Sequence, residues 1–380
     1  MLDHTNQQET DKIMAAAKTA KKILYGSIKR ASVVKVIISN AKQGITTVIL
    51  SHNGNSKSSI IKDLMKEFPK HRPVLMNFSV MQAGDVVMPK FANIDGVDVV
   101  TAVPHEHMGL HFEEPVILFM DEIFKAPKAL QVQVAELMYE WSLAGKKLPE
   151  GSIVFGASNL EDEGFGDQSL GFVYNRIAVV EMAKVTGEEW VENYAFDNGI
   201  HPTIIQSAKE FPAMFHDYRD YSTAGENQYI FDPRMPQTAF VTLRSLERAS
   251  KMLKGFEEVG LATEDITHCL TNVVGPRAAQ DIMSVHILHE ELPSWEEIVK
   301  KGAGAKVPKS AGARCLLIYT AISSIDEKSI KPWMEYASKN LKKEEQALFA
   351  CTILKVISKA GLVSTHPQFL KWVTNNSYLY

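Results

Sequence analysis

The chain has 380 residues, enough for two or three domains at the usual size of about 150 residues each. A hydrophobic fraction of 45% against 23% charged excludes large-scale disorder. The net charge of −4, from 41 basic and 45 acidic side chains, excludes the global positive field that draws nucleic acid. Cys269, Cys315 and Cys351 lie far apart with no CxxC spacing, so free thiols in a reducing compartment are expected rather than a disulfide framework or zinc site. The opening "MLDHTNQQETDKIM" lacks the apolar segment of a secretory signal, and the longest apolar runs fall short of a membrane span. A cytoplasmic location is the resulting expectation.

Residues 10–43 alternate Lys and Arg with Ala, Ile and Val at helical spacing, which predicts one or two amphipathic helices. The period then changes. Short runs rich in Val, Ile and Phe at Thr46–Leu50, Pro73–Val80, Val116–Met120, Ser152–Ala157 and Ile177–Met182 predict buried strands, with helices at Ser58–Phe68 and Ala126–Leu143 between them. Such alternation implies a mostly parallel sheet covered on both faces. An Asp-Gly pair within "FANIDGVDVVTAV", residues 91–103, predicts a hairpin. After Met182 the segments read as helices punctuated by Gly and Pro, and "KKGAGAKVPKSAGAR" reads as an exposed linker before a last helical block.

Chemistry concentrates at the ends of the predicted strands. The first is followed by "SHNGNSKSS", a phosphate-loop pattern with serine at both fixed glycine positions, Ser51 and Ser56. Lys57 would reach the terminal phosphates of a nucleotide and Ser58 would ligate Mg²⁺. Serine suits the two glycine positions if their φ is negative, with Gly54 taking the tightest point. "PVILFMDEIFKAP" puts Asp121 and Glu122 at the end of another strand, where ligands bind in open parallel sheets. Asp121 can hold Mg²⁺ through water, and Glu122 can take a proton from the attacking water. Read separately, the acidic pair could equally cap the following helix, and Asn159, ending "SIVFGASN", could start a turn or position that water.

In their order, "VILSHNGNSKSS", "VILFMDEIFKAPKALQVQVAELMYE", "GSIVFGASNLEDEG", "LGFVYNRI" and "VTLRSLERASKML" resemble the MoxR-like branch of the AAA+ ATPases over roughly residues 20–255. The segment with Asp121 and Glu122 is the most specific part, and the loop with Ser51 and Ser56 the least faithful. The resemblance implies an α/β fold: a P-loop AAA+ parallel-sheet domain with N-terminal helices (1–183), an all-α lid (184–300) and a helical C-terminal extension (301–380). It implies an ATP site formed by Ser51, Gly54, Asn55, Ser56, Lys57, Ser58 and Ser59, with Mg²⁺ at Ser58 and Asp121. Glu122 would be the base and Asn159 the first sensor. Arg176 in "YNRI" would be offered to the neighbouring subunit's nucleotide, although Asn175 precedes it where the family has Asp. Arg244 in "TLRSLE" would be the lid arginine, preceded by Leu243 where some relatives have Pro. Arg234 and Arg277, each beside a proline, compete for these arginine roles. A homo-oligomeric ring, most simply a hexamer, is implied, as is a protein client or a partner with a von Willebrand factor A domain. In the family a pore-facing insertion sits where the hairpin at 91–103 is, and "LAGKKLPEGS", residues 143–152, resembles the hairpin before the first sensor; each could equally be a surface turn with no role.

Two alternatives stay open: a nucleotide-dependent scaffold with negligible hydrolysis, and a nucleic-acid motor, which the acidic balance disfavours. His105, His107 and His111 in "HEHMGLH" suit no single regular element as metal ligands. His52 is expected to be solvated and the five tryptophans to be packing residues. GxSxG and HExxH are absent, so peptide or ester hydrolysis has no support.

Overall fold

The computed structural model describes residues 26–160 and 175–376. The start of the expected N-terminal helical region, the Lys-rich run near 18–22 and residues 161–174 lie outside these residues. The chain divides into two compact units, residues 1–184 and 185–380.

In the first unit, strands β1 (Thr47–Ser51), β2 (Arg72–Asn77), β5 (Val116–Asp121), β8 (Ile153–Asn159) and β9 (Ala178–Glu181) form one sheet in the order β2-β5-β8-β1-β9. Every neighbouring pair is parallel. Successive strand side chains point to opposite faces, so a strand buried on both sides must be apolar throughout. In β5, Ile117 and Phe119 join Val33 and Ile37 of helix α1 (Arg30–Ala41) and Ile60 and Leu64 of α2 (Ile60–Glu67). Its alternate residues Leu118 and Met120 pack instead with Leu130 and Val134 of α3 (Lys128–Glu140). Thr46 ties α3 to the start of β1, donating through Oγ1 to the Met138 carbonyl at 2.6 Å and accepting from Trp141 Nε1 at 2.9 Å.

The Asp-Gly hairpin is present and longer than expected, β3 (Val87–Ile94) pairing with β4 (Val97–Pro104) across Asp95 and Gly96, both at positive φ. The "LAGKKLPEGS" hairpin also forms, β6 (Ser142–Leu143) against β7 (Lys146–Lys147).

The second unit is helical. It includes Gly187–Trp190 running into a π-helical turn, α4 (Pro202–Glu210), α5 (Leu243–Val259), α6 (Thr263–Val274), α7 (Pro276–His286), α8 (Ala311–Ser324), α9 (Ile330–Asn340) and α10 (Lys343–Lys355), all contributing to one apolar core. Local chemistry sets the ends of α5: the Thr242 side chain accepts from the Ser245 amide, and Gly260 stops the helix at φ 66°. The stretch expected as an exposed linker is instead packed. Tyr336 donates to the Lys306 carbonyl, Asn340 to Ala303, and Arg314 to Pro308 and Lys309, and Ala305 is buried. Small residues there permit close approach, a use of Gly and Ala that composition cannot separate from flexibility. Trp190, Trp333 and Trp372 are buried packing residues, as expected. No single helix among the described residues is long and apolar enough to cross a membrane.

One polar cluster joins four segments of this unit. His201 donates through Nε2 to Glu257 Oε1 at 3.1 Å, while His289 Nε2 lies 3.0 Å from Thr203 Oγ1 and His286 Nδ1 lies 3.9 Å from the same glutamate oxygen. His201, Glu257 and His289 are the one group among the described residues close enough to suggest a metal. His201 Nδ1, however, accepts the Thr203 amide at 3.2 Å, which leaves the proton on the nitrogen facing Glu257. The cluster is a structural tie with His201 in a fixed tautomer.

Burial pushes His289 down from 6.5 to about 4, with His201 and His286 adding repulsion and Glu257 opposing it. An unfolded histidine takes its proton near pH 6.5, so this contribution to stability is complete above that pH and is lost as pH falls towards 4. The urea midpoint of the second unit should therefore drop between about pH 7.5 and 5, and His289→Gln should shrink that drop; an equal drop in the variant would remove His289 as its cause.

Candidate nucleotide-binding site

Parallel pairing aligns the C-terminal strand ends. Ser51, the last residue of β1, faces Asn159, the last of β8, and Asp121, the last of β5, faces Ala157. Three polar strand ends from distant parts of the sequence thus share one edge of the sheet. The loop from His52 to Ser56 follows β1 and enters a 3-10 turn, Lys57–Ser59, that continues into α2. A strand feeding a tight loop and a helix start is an arrangement that binds anions, because amides in the first turn have no partner within the helix.

Lys57 is 7% exposed, and its ammonium donates to the carbonyls of Ser51 at 2.9 Å and His52 at 3.0 Å and to Asn159 Oδ1 at 2.6 Å. Ser58 Oγ donates to Asp121 Oδ2 at 2.9 Å, and Asp121 Oδ1 accepts the Glu122 amide at 3.1 Å. These two contacts bring together the loop and two strands separated in sequence by 63 and 102 positions. Glu122 stands at φ 56°, in the left-handed region, with Oε2 2.9 Å from Lys125 Nζ in an ion pair that lacks hydrogen-bond geometry. Asn159 is 7% exposed, and its Nδ2 is buried with no hydrogen-bond partner among the described residues. An unmet buried donor is costly, and it is tolerated where a group brought into the site supplies the acceptor.

The residues fit Mg²⁺ and a phosphate chain. A hydroxyl and a carboxylate already in contact are the hard oxygen donors that Mg²⁺ takes, and a buried ammonium with an unmet amide donor beside it suits phosphate oxygens.

The glycine substitutions resolve differently from one another. Ser51 lies in extended strand, and its Oγ donates to the Met182 carbonyl at 3.1 Å while accepting from Asn55 Nδ2 at 2.6 Å. Asn55 Nδ2 also reaches the Ala183 carbonyl at 3.0 Å. Serine there is a brace. Ser56, which would have suited a negative φ, adopts φ 58° and ψ 31°, so the left-handed turn usually served by glycine is kept with an L side chain in it. Gly54, at φ 69°, is also left-handed. Ser59 Oγ donates to the Ser56 carbonyl at 2.7 Å. His52, expected in solvent, is buried at 5% exposure.

Arg176 is exposed, its guanidinium 4.8 Å from the centre of the Tyr139 ring. Arg244, also exposed, lies in the first turn of α5 in the second unit. Arg234 is committed to its own unit: Nε and Nη2 grip both oxygens of Asp232, at 2.8 and 2.7 Å, and hold that carboxyl down at about 2. Arg277 pairs with Asp281 at 2.9 Å and donates to Tyr229 Oη. His105, His107 and His111 do not converge as a ligand set; His105 instead accepts the His107 amide at the start of a 3-10 turn. Two site residues were missed in the sequence, Lys125 beside Glu122 and Arg30 against the loop. The spacing of Glu122 and Lys125 on a short turn could have pointed to the first.

No family model matches the chain, and no curated protein matches it in sequence. Among solved structures, it is similar to NtrX from Brucella abortus in complex with ADP, at 11% identity over 99% of this chain and 74% of that one with a TM-score of 0.38. It is also similar to the RuvB Holliday junction branch migration motor of Thermotoga maritima, at 12% identity over 72% and 74% with a TM-score of 0.35. The fold rests on its own topology: a parallel α/β domain with a phosphate-loop arrangement, followed by a helical region.

Ser56→Gly should stabilise the first unit by up to about 1 kcal/mol, the relief of a left-handed L-residue less the added freedom of glycine in the unfolded chain. Urea-dependent hydrogen exchange over residues 47–67 measures it, and a loss of stability would show that the serine conformation is not strained.

Proposed function

We propose that the chain binds ATP with Mg²⁺ and hydrolyses it, as a MoxR-like AAA+ protein that works in a homo-oligomeric ring, most simply a hexamer, on a protein client. The single observation that carries this reading is the joint placement of Ser58 against Asp121 and of Lys57 against Asn159 at one sheet edge. Mg²⁺ held by the Ser58 hydroxyl and the Asp121 carboxylate would supply positive charge to the β,γ-phosphate oxygens.

The chain's own groups do the rest. Lys57 offers its buried charge to the phosphates in exchange for its carbonyl and amide acceptors, which costs less than bringing an ammonium in from water. Asn159, freed at Oδ1, orients water with Nδ2 as its donor. Glu122 accepts the water's proton once its carboxylate leaves Lys125. Arg176, exposed on its own subunit, serves as the arginine given to a neighbour's nucleotide, and Arg244 as the lid arginine. The β3–β4 hairpin supports a protein client: Phe91 is 87% exposed, and its cross-strand partner Val100 is 62% exposed. A partner with a von Willebrand factor A domain belongs to the same reading.

One observation favours a second reading, a nucleotide-dependent scaffold with negligible hydrolysis. The Glu122 carboxylate is engaged by Lys125 on a left-handed residue, which would silence a base that never lets go. Turnover separates the two. Lys57→Ala should weaken both ATP binding and hydrolysis, and Glu122→Gln should keep binding while lowering kcat by about 10²-fold or more. Equal rates in wild type and both variants would leave the scaffold.

A further inference from the structure

We infer that Arg30 is a positioning residue that holds the phosphate loop in its binding shape because Ser56 replaces the glycine usual there. The inference rests on the nucleotide reading for its consequence, though the contact stands without it. Arg30 Nη1 donates to the Ser56 carbonyl at 2.9 Å, and Nη2 pairs with Asp63 in the first turn of α2. One guanidinium therefore bridges the loop at its left-handed residue to the helix the loop feeds. Lysine, with a single ammonium, cannot present two donors in that fixed fork.

Three features make this contact more than a surface ion pair. Arg30 opens α1, where a helix start disfavours positive charge, and that first turn holds no acidic residue to compensate. Its position is set from outside the helix: Ile28 is stitched to the end of β9, its amide donating to Glu181 and its carbonyl accepting from Ala183, each at 2.9 Å. Two residues later the chain delivers Arg30 to the loop. The third feature is the target. The Ser56 carbonyl also takes Ser59 N at 3.2 Å and Ser59 Oγ at 2.7 Å, so its direction decides how the peptide between Ser56 and Lys57 faces the site.

A serine relaxing to negative φ would turn that carbonyl away and swing the Lys57 amide with it. Glycine has little reason to relax, because it tolerates both signs of φ. The guanidinium opposes the relaxation only where there is strain to release, so the effects of positions 30 and 56 must be coupled.

The test uses the full chain as wild type, Arg30→Ala, Ser56→Gly and the double variant. Hydrogen exchange over residues 51–60 is read without nucleotide, and binding and turnover are read with Mg²⁺ and a fluorescent ATP analogue. Arg30→Ala should speed loop exchange and weaken binding about tenfold, the worth of one charge-assisted hydrogen bond. Adding Ser56→Gly should restore slow exchange and recover most of the affinity. Equal effects of Arg30→Ala in the serine and glycine backgrounds, or unchanged exchange, would overturn the inference. If wild type binds no nucleotide, the functional reading fails and the exchange cycle alone decides the role of Arg30. Should Arg30→Ala not fold, Arg30→Lys and Asp63→Asn carry the same cycle, with faster loop exchange expected in each and rescue by Ser56→Gly.

Discussion

Parallel pairing of β1, β5 and β8 in a single register is the constraint on which the site depends. Ser51 opposite Asn159 and Asp121 opposite Ala157 bring the three strand ends to one edge of the sheet, β5 stopping two residues short of β8, so the lysine and serine of one loop meet the polar ends of two neighbouring strands. A slip of one residue in any of these strands would turn its side chains to the opposite face. Burial on both faces is what fixes the register, since Ile117 and Phe119 are committed to one helical layer and Leu118 and Met120 to the other. Packing and polar geometry are therefore the same fact seen from two sides.

A loop with fewer glycines is a stiffer loop that has to be held. Ser51 and Asn55 are tied to the carbonyls of Met182 and Ala183, and the Ser56 carbonyl is gripped by Arg30 and Ser59. Of these, the Ser51 hydroxyl is a polar group that glycine would not have introduced, and together the ties replace conformational freedom with side-chain contacts. Strain of about 1–3 kcal/mol at each left-handed residue, Ser56 and Glu122, persists only where the surroundings over-determine it. Both residues flank the Ser58–Asp121 contact.

Much of this was legible in the sequence because the signals are local. Five apolar runs became five parallel strands, four of them within a residue or two of their expected ends and β2 stopping at Asn77, three residues before Val80, and Asp95-Gly96 announced its hairpin. The strand-end positions of Asp121 and Asn159 followed from where those runs stop. The rest depended on contacts across sequence. Arg30 looks like one more cation on an amphipathic helix, and its partners Ser56 and Asp63 are 26 and 33 positions away. The sign of φ at Ser56 is set by the loop's closure and not by the residue, so a size argument pointed the wrong way. "KKGAGAKVPKSAGAR" has a linker's composition, yet Tyr336 and Asn340 hydrogen-bond to its Lys306 and Ala303 carbonyls.

On the proposed reading Ser58 and Asp121 form the Mg²⁺ end of a nucleotide site whose other end is Lys57. Calorimetric titration of ATP into wild type and Ser58→Ala, each with and without Mg²⁺, tests it most directly. Mg²⁺ should tighten ATP binding to wild type about tenfold or more, and Ser58→Ala should still bind ATP but lose most of this enhancement. No binding by wild type, or an equal Mg²⁺ enhancement in both proteins, would contradict it.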